Sequence, residues 1–149
     1  MSGAEARASR IEGRGLFATR PFRAGEVVAV YRGPVVDAPP GPDAEGRVHA
    51  LELETGRWID GSAPGNLARF ANHACEPTAE AVRVGDVVEL RALRDLAAGT
   101  EVTFDYGFGL ADALGHPCRC GAAACPGFIV AEPLRPLLRR QLRAAKGRD

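Results

Sequence analysis

Short apolar runs, separated at close intervals by Gly and Pro, dominate this chain, and that spacing predicts a strand-rich fold rather than a helical bundle. The segments that read as strands are 16–18, 26–31, 35–36, 48–53, 57–59, 81–84, 87–92 and 101–104. Gly85-Asp86, between two of them, has the chemistry of a hairpin turn. The Pro- and Gly-rich stretch 38–46 carries no periodicity and reads as a loop. Only near the end does the period change. Leu134, Leu137, Leu138 and Leu142 recur at helical spacing and predict a short amphipathic helix with a basic opposite face.

One internal similarity stands out: Arg20-Pro21-Phe22-Arg23-Ala24-Gly25-Glu26-Val27 resembles Arg94-Asp95-Leu96-Ala97-Ala98-Gly99-Thr100-Glu101-Val102. Both read as a turn with glycine feeding a strand. A single pair of this size is too little for a solenoid and is read as two similar loop-to-strand corners.

At 149 residues and 46% hydrophobic, the chain suits one domain with one real core. Its formal net charge of zero argues against strong direct nucleic-acid binding through a general positive field. The basic C-terminal stretch holds Arg135, Arg139, Arg140, Arg143, Lys146 and Arg148; a solvated helix packed on the domain is favoured there over a nucleic-acid or membrane contact. Residues 1–15 mix charges with small residues and lack the apolar core of a secretory signal. No run approaches a membrane span. The expected setting is the cytoplasm of a bacterium or archaeon, or the nucleus if the source is eukaryotic.

The four cysteines sharpen this picture: Cys118, Cys120 and Cys125 form a CxCx4C cluster, and Cys75 is the remaining one. Tetrahedral zinc needs four such ligands, so Cys75 is the candidate to complete a structural site. Two disulfides or four free buried thiols are the alternatives. A reducing compartment favours metal.

Three further segments carry candidate chemistry. Gly13-Arg14-Gly15 alone is a tight turn, though closely spaced glycines also let a backbone approach a bulky ligand. The run Gly65-Asn66-Leu67-Ala68-Arg69-Phe70-Ala71-Asn72-His73-Ala74-Cys75-Glu76-Pro77 is poor core and poor linker, and Asn72 with His73 has the donors and acceptors to recognise a polar heterocycle. Phe104-Asp105-Tyr106 ends a strand in a Gly-rich exit, placing a phenol where a pocket can open.

In order, these motifs resemble those of the SET-domain family of protein lysine methyltransferases, from about Ser9 to Phe128. Gly13-Arg14-Gly15-Leu16-Phe17-Ala18 is similar to the family's opening motif, and 25–33 to its next strand pair. Residues 59–77 resemble its signature block, 99–106 its catalytic-tyrosine block, and Cys118, Cys120 and Cys125 its post-SET zinc motif. The chain departs from the family pattern with Ala74 in place of serine, Thr78 in place of asparagine, and Ala63-Pro64 where tyrosines usually stand.

The resemblance implies a mainly β fold (β-rich α+β) of small curved sheets with a pseudoknot, plus a zinc-bound tail and a short C-terminal helix. It divides the chain into an extension at 1–8, a catalytic domain at 9–108, a post-SET segment at 109–131 and a basic helix or tail at 132–149. It further implies S-adenosylmethionine as donor, held by Gly13, Arg14, Gly15, Leu16, Tyr31, Arg69, Phe70, Asn72, His73 and Tyr106. Tyr106 would be catalytic, Phe104, Trp58 and Phe108 would line the lysine channel with His49 as a further substitute, and Cys75, Cys118, Cys120 and Cys125 would bind zinc. Phenylalanine at 104 implies capacity for di- or trimethylation. The expected partner is a protein presenting a lysine, a histone or another DNA-associated protein among the options. Two other readings remain: a catalytically weak SET-like binding module, and a small zinc-stabilised interaction domain.

Overall fold

The computed structural model describes residues 3–147. Its strands are β1 (Ala4–Ala8), β2 (Arg14–Ala18), β3 (Val27–Tyr31), β4 (Val35–Val36), β5 (Ala50–Glu54), β6 (Arg57–Asp60), β7 (Asn72–His73), β8 (Ala79–Val84), β9 (Val87–Ala92) and β10 (Glu101–Phe104). Two helices follow, α1 (Leu110–Ala113) and α2 (Arg135–Lys146). The strands form three small sheets, ordered β1-β2-β10-β7, β3-β9-β8 and β4-β6-β5.

Each strand predicted from the apolar runs is present, displaced at some ends by one or two residues. Gly85, at φ +61°, turns β8 into β9 with Val84 opposite Val87. Two strands were not expected. In β1 the alternation is carried by alanines among charged residues, too weak an apolar signal, yet Ala4 is buried and pairs with Ala18 of β2. The N-terminal stretch read as an extension therefore supplies the edge of the first sheet. The other, β7, is only two residues long and has no pattern to read.

β10 lies between β2 and β7. It runs antiparallel to β2, with Val102 opposite Leu16, and parallel to β7, with Thr103 opposite Asn72 and Phe104 opposite His73. A late strand is thus threaded between two earlier segments, in keeping with the expected pseudoknot. Because parallel neighbours point the same way, the chain leaves β10 and β7 at the same end, which brings the residues after Phe104 beside those after His73.

The two similar corners meet each other. Phe22 and Leu96 form an antiparallel bridge, each donating its N–H to the other's carbonyl at 2.9 and 2.8 Å. Around that bridge the bonds repeat: Gly25 N–H to Ala92 and Gly99 N–H to Ala18, Ala92 N–H to Glu26 and Ala18 N–H to Thr100. A similarity seen in sequence is a local two-fold arrangement in space, and it locks β2 and β3 to β9 and β10.

Leu16, Ile59, Leu90, Leu96 and Val102 are wholly or nearly wholly buried in the main core, where each substitution to alanine is worth about 2–5 kcal/mol. A second, smaller core joins Ala113, Val130 and Leu138, with Leu110, Phe128, Leu134 and Leu142 packed on it. The helical stripe predicted in α2 holds for Leu134, Leu138 and Leu142, whereas Leu137 is exposed. Arg135 takes a place on the buried side instead.

Candidate active site and metal centre

The Gly13-Arg14-Gly15 turn is shaped by its neighbours in the protein. Gly13 sits at φ +41°, and a Cβ there would fall 2.0 Å from Arg47 Nη2. A Cβ on Gly15 would fall 2.4 Å from Glu101 Oε2. Glycine suits the positive φ at 13, and at 15 it leaves room for the Glu101 carboxylate. Ser9 Oγ donates to the Glu101 carboxylate at 2.9 Å, and Asn72 Nδ2 lies 3.1–3.2 Å from Ser9 Oγ, Glu101 Oε2 and the carbonyls of Glu12 and Arg14. The Asn72 side chain therefore pins the glycine turn to β7. Leu16, expected beside the donor, gives its side chain to the core, leaving only its backbone for such contact.

A groove of about 600 Å³ opens between this turn, the 43–49 segment and Arg69-Phe70. Phe70 is flanked by two guanidiniums, Arg14 at 4.9 Å and Arg69 at 4.4 Å from its ring centroid. Arg69 Nη1 is fixed by the carbonyls of Ala63, Pro64 and Asn66. Arg47 pairs with Glu12 at 3.1 Å, and His49 Nε2 lies 2.8 Å from Asp43. His49 is thus a wall of the groove, 6.5 Å from the Phe70 ring. The stretch 38–46, read only as a loop, contributes Asp43 and Glu45, with Arg47 just after it; its only sequence signal was polar residues among glycines and prolines.

Tyr106 follows β10. Its hydroxyl donates to the Ala71 carbonyl at 2.6 Å, and its backbone N–H donates to His73 Nδ1 at 3.1 Å. Burial raises the phenol pKa above its ordinary value, so the hydroxyl stays neutral. Phe104, at 4.9 Å, and Phe108, at 5.7 Å, complete a row of rings with it. His116 stacks edge-on to Phe108 at 4.8 Å. Tyr31 is buried too, its hydroxyl against Gly61, where a Cβ would fall only 2.2 Å away. Burial, and then the nearby Tyr106 phenol, raise the Tyr31 pKa. Tyr31 is part of the main core, on which Tyr106 packs, and is not among the residues that line the groove. Trp58 lies elsewhere, on β6 opposite Val36 and Glu52, and is not part of this row.

The cysteines converge. The sulfurs of Cys75, Cys118, Cys120 and Cys125 all lie within 4.8 Å of one another, with Cys75 and Cys118 3.9 Å apart. Four ligands at the ~2.3 Å bond length of tetrahedral zinc would stand roughly 3.8 Å apart. Disulfides are not formed. Burial and the neighbouring sulfurs raise the thiols of Cys75 and Cys118, the latter to about 12. Burial acts likewise on Cys120, but N–H groups from Cys75 and Ala122 bring it down to about 7. Crowded thiols that resist ionising together are what a divalent cation would relieve.

Comparison with known proteins places this geometry. The sequence profile of the SET domain matches residues 13–107. The chain belongs to the SET-domain family. Its relatives include a histone-lysine N-methyltransferase of Eremothecium gossypii described as H3 lysine-4 specific, 35% identical over 81% of this chain and 14% of that protein. Another, from Yarrowia lipolytica and described as H3 lysine-36 specific, is 36% identical over 79% of this chain and 17% of its own length. Human histone-lysine N-methyltransferase 2B is 37% identical over 81% of this chain and 5% of its own. The chain thus spans less than a fifth of the length of these relatives.

The SET match ends at Gly107, so the CxCx4C cluster and α2 lie beyond it. Contacts across that boundary are direct: Ala131 N–H donates to the Phe108 carbonyl at 2.9 Å, and Glu132 N–H to Asp105 Oδ2 at 3.0 Å. Arg135 Nη2 donates to the Cys75 carbonyl at 2.7 Å, and Arg139 donates to that of Ala124. Two arginines of the basic tail therefore face the protein. Their signal was present in sequence, since Arg135 shares the helical spacing of Leu138 and Leu142.

Proposed function

We propose that this chain is an S-adenosylmethionine-dependent methyltransferase that modifies the ε-amine of lysine in a protein. The observation that carries the reading is the placement of Tyr106: β10 delivers its hydroxyl to Ala71 and its N–H to His73, in the signature block that also supplies the Arg69-Phe70 wall of the groove. The groove's chemistry fits the donor, with arginines for a carboxylate, carboxylates for an amine and a ribose, and the Phe70 face for a flat or cationic group. The residues that would hold it are Gly13, Arg14, Gly15, Arg69, Phe70, and Asn72 and His73 through their backbones, with Leu16 contributing backbone only.

Bound there, the donor supplies a methyl group on a positively charged sulfonium. The protein's own task is alignment. The Tyr106 hydroxyl spends its proton on Ala71, and its oxygen keeps lone pairs for weak C–H···O contacts that orient a methyl. Phe104, Tyr106 and Phe108 offer an apolar wall on which a lysine amine loses solvation and hence its proton, favouring the neutral nucleophile. Phe104 is buried and brings no hydroxyl to hold a water, which supports di- or trimethylation. The four cysteines would bind zinc in a structural role, with no open position for catalysis.

The relatives' descriptions make histone H3 the first substrate to try. These relatives are eukaryotic, and they lend no support to a bacterial or archaeal cytoplasm. Among the described residues no helix is long and apolar enough to cross a membrane. The test is transfer of labelled methyl from S-adenosylmethionine to histones and other lysine-bearing proteins, with mapping of the labelled residue. Label on lysine supports the reading; donor binding without transfer to any protein of a whole-lysate panel favours the binding module. Metal analysis should find about one zinc per chain, lost in Cys75→Ser.

A further inference from the structure

Among the described residues, no acidic side chain forms an ion pair with the positive charge of Arg135. Arg135 opens α2 and is 7% exposed. Nη2 donates to the Cys75 carbonyl, while Nε is buried with no hydrogen-bond partner among the described residues. A guanidinium stays protonated in proteins, and a buried charge without a counter-charge is strongly destabilising. A protein that keeps one there needs negative potential from another source.

The cysteine cluster adjoins Arg135. Arg135 grips the backbone of one of its members, Cys75, and four thiolates around one divalent cation carry roughly two net negative charges. One turn along α2, Arg139 donates to the carbonyl of Ala124, next to Cys125. The helix thus holds both halves of the cluster, the signature block through Arg135 and the tail through Arg139. Leu138, between them, is fully buried in the second core with Val130 and Ala113. That core packs on Phe128, and the segment leading into α2 is bonded to Phe108 and Asp105, which flank Tyr106.

We propose that Arg135 is the counter-charge of the four-cysteine metal centre, and that α2 therefore docks fully only when the centre is loaded. The proposal rests on the zinc reading above. It makes the C-terminal helix a working part of the metal centre rather than a solvated appendage.

The test uses the full chain purified with zinc. Zinc affinity is measured by competition with a chromophoric chelator for the wild type, Arg135→Met and Arg135→Lys. Loss of an outer-shell partner should weaken binding about 10–100-fold in Arg135→Met. Arg135→Lys, which keeps the charge but loses the fork, should recover part of that loss. Amide exchange should show α2 protected in the zinc-loaded wild type and unprotected after zinc removal. Unchanged affinity in Arg135→Met overturns the proposal, as does an Arg135→Lys variant no better than Arg135→Met, which would indicate packing rather than charge. If Arg135→Met does not fold, the exchange result and Arg135→Lys decide: α2 protection that survives zinc removal overturns the proposal. A folded wild type that binds no zinc overturns the zinc reading as well, and tight wild-type binding separates the two.

Discussion

His73 accepts the backbone N–H of Tyr106 on Nδ1 at 3.1 Å, while its Nε2 lies 3.6 Å from the sulfur of Cys75. One imidazole spans the gap between the proposed catalytic residue and a proposed metal ligand. Since Nδ1 accepts, the ring proton belongs on Nε2, directed at the sulfur. Burial pushes the His73 pKa below its ordinary value; Asp105, 3.8 Å away, opposes this, and Arg135 adds to it. Imidazole nitrogen shifts in NMR should therefore report an Nε2-protonated His73 that is more than half neutral at pH 6.5, the ordinary midpoint. A proton on Nδ1, or half-protonation at that midpoint, would contradict the assignment.

Tyr106→Phe removes the hydroxyl and leaves the Ala71 carbonyl without its 2.6 Å donor. The row of rings is retained, so the cost in stability should be near 1 kcal/mol. Transfer should fall by about 10²-fold or more, in the range seen when a preorganised polar contact is removed. Donor affinity should change little. A loss confined to donor binding would move Tyr106 from the chemistry to the groove.

Gly15→Ala tests the glycine turn from inside the protein. The added methyl would meet the Glu101 carboxylate at 2.4 Å and the Ser9 Cβ at 3.0 Å, with β2 bonded on both sides. Overpacking of this kind costs about 1–3 kcal/mol. Thermal unfolding should show the loss, and calorimetry should show weaker donor binding because Arg14 moves with the turn. An unchanged melting temperature would mean that the turn yields freely.

Much of this was legible because periodicity, glycine and cysteine leave marks that survive without neighbours. The hairpin at Gly85-Asp86, β9 and the stripe of Leu134, Leu138 and Leu142 follow from local pattern. So did the pairing of Cys75 with the distant CxCx4C cluster, since ligand count left one place to fill. What stayed hidden depends on partners far along the chain. The β1 strand exists through its register with β2, not through its own alanines and charges. Arg135 reads as one more basic residue until the carbonyl of Cys75 is placed beside it. Trp58, chosen for its aromatic ring alone, sits on a sheet apart from Tyr106.

Phe104→Tyr places a hydroxyl at a 4%-exposed site whose ring lies 4.9 Å from that of Tyr106. A new polar group there needs a water or a protein partner, and either occupies the space an alkylated amine would use. Mass spectrometry of a methylated peptide should show di- or trimethyl-lysine with the wild type and a shift toward monomethyl-lysine with the variant. A wild type that stops at monomethyl under excess enzyme would count against the assigned role of Phe104.

Gly13 to Gly15, Arg69-Phe70 and the backbone of Asn72 and His73 are proposed to form a site for a sulfonium methyl donor. Titration calorimetry of the folded chain with S-adenosylmethionine tests it without needing the protein substrate. Saturable binding of about one donor per chain, weakened in Phe70→Ala, is the expected result. A folded, metal-loaded chain that releases no heat and shows no thermal stabilisation at millimolar donor would contradict it.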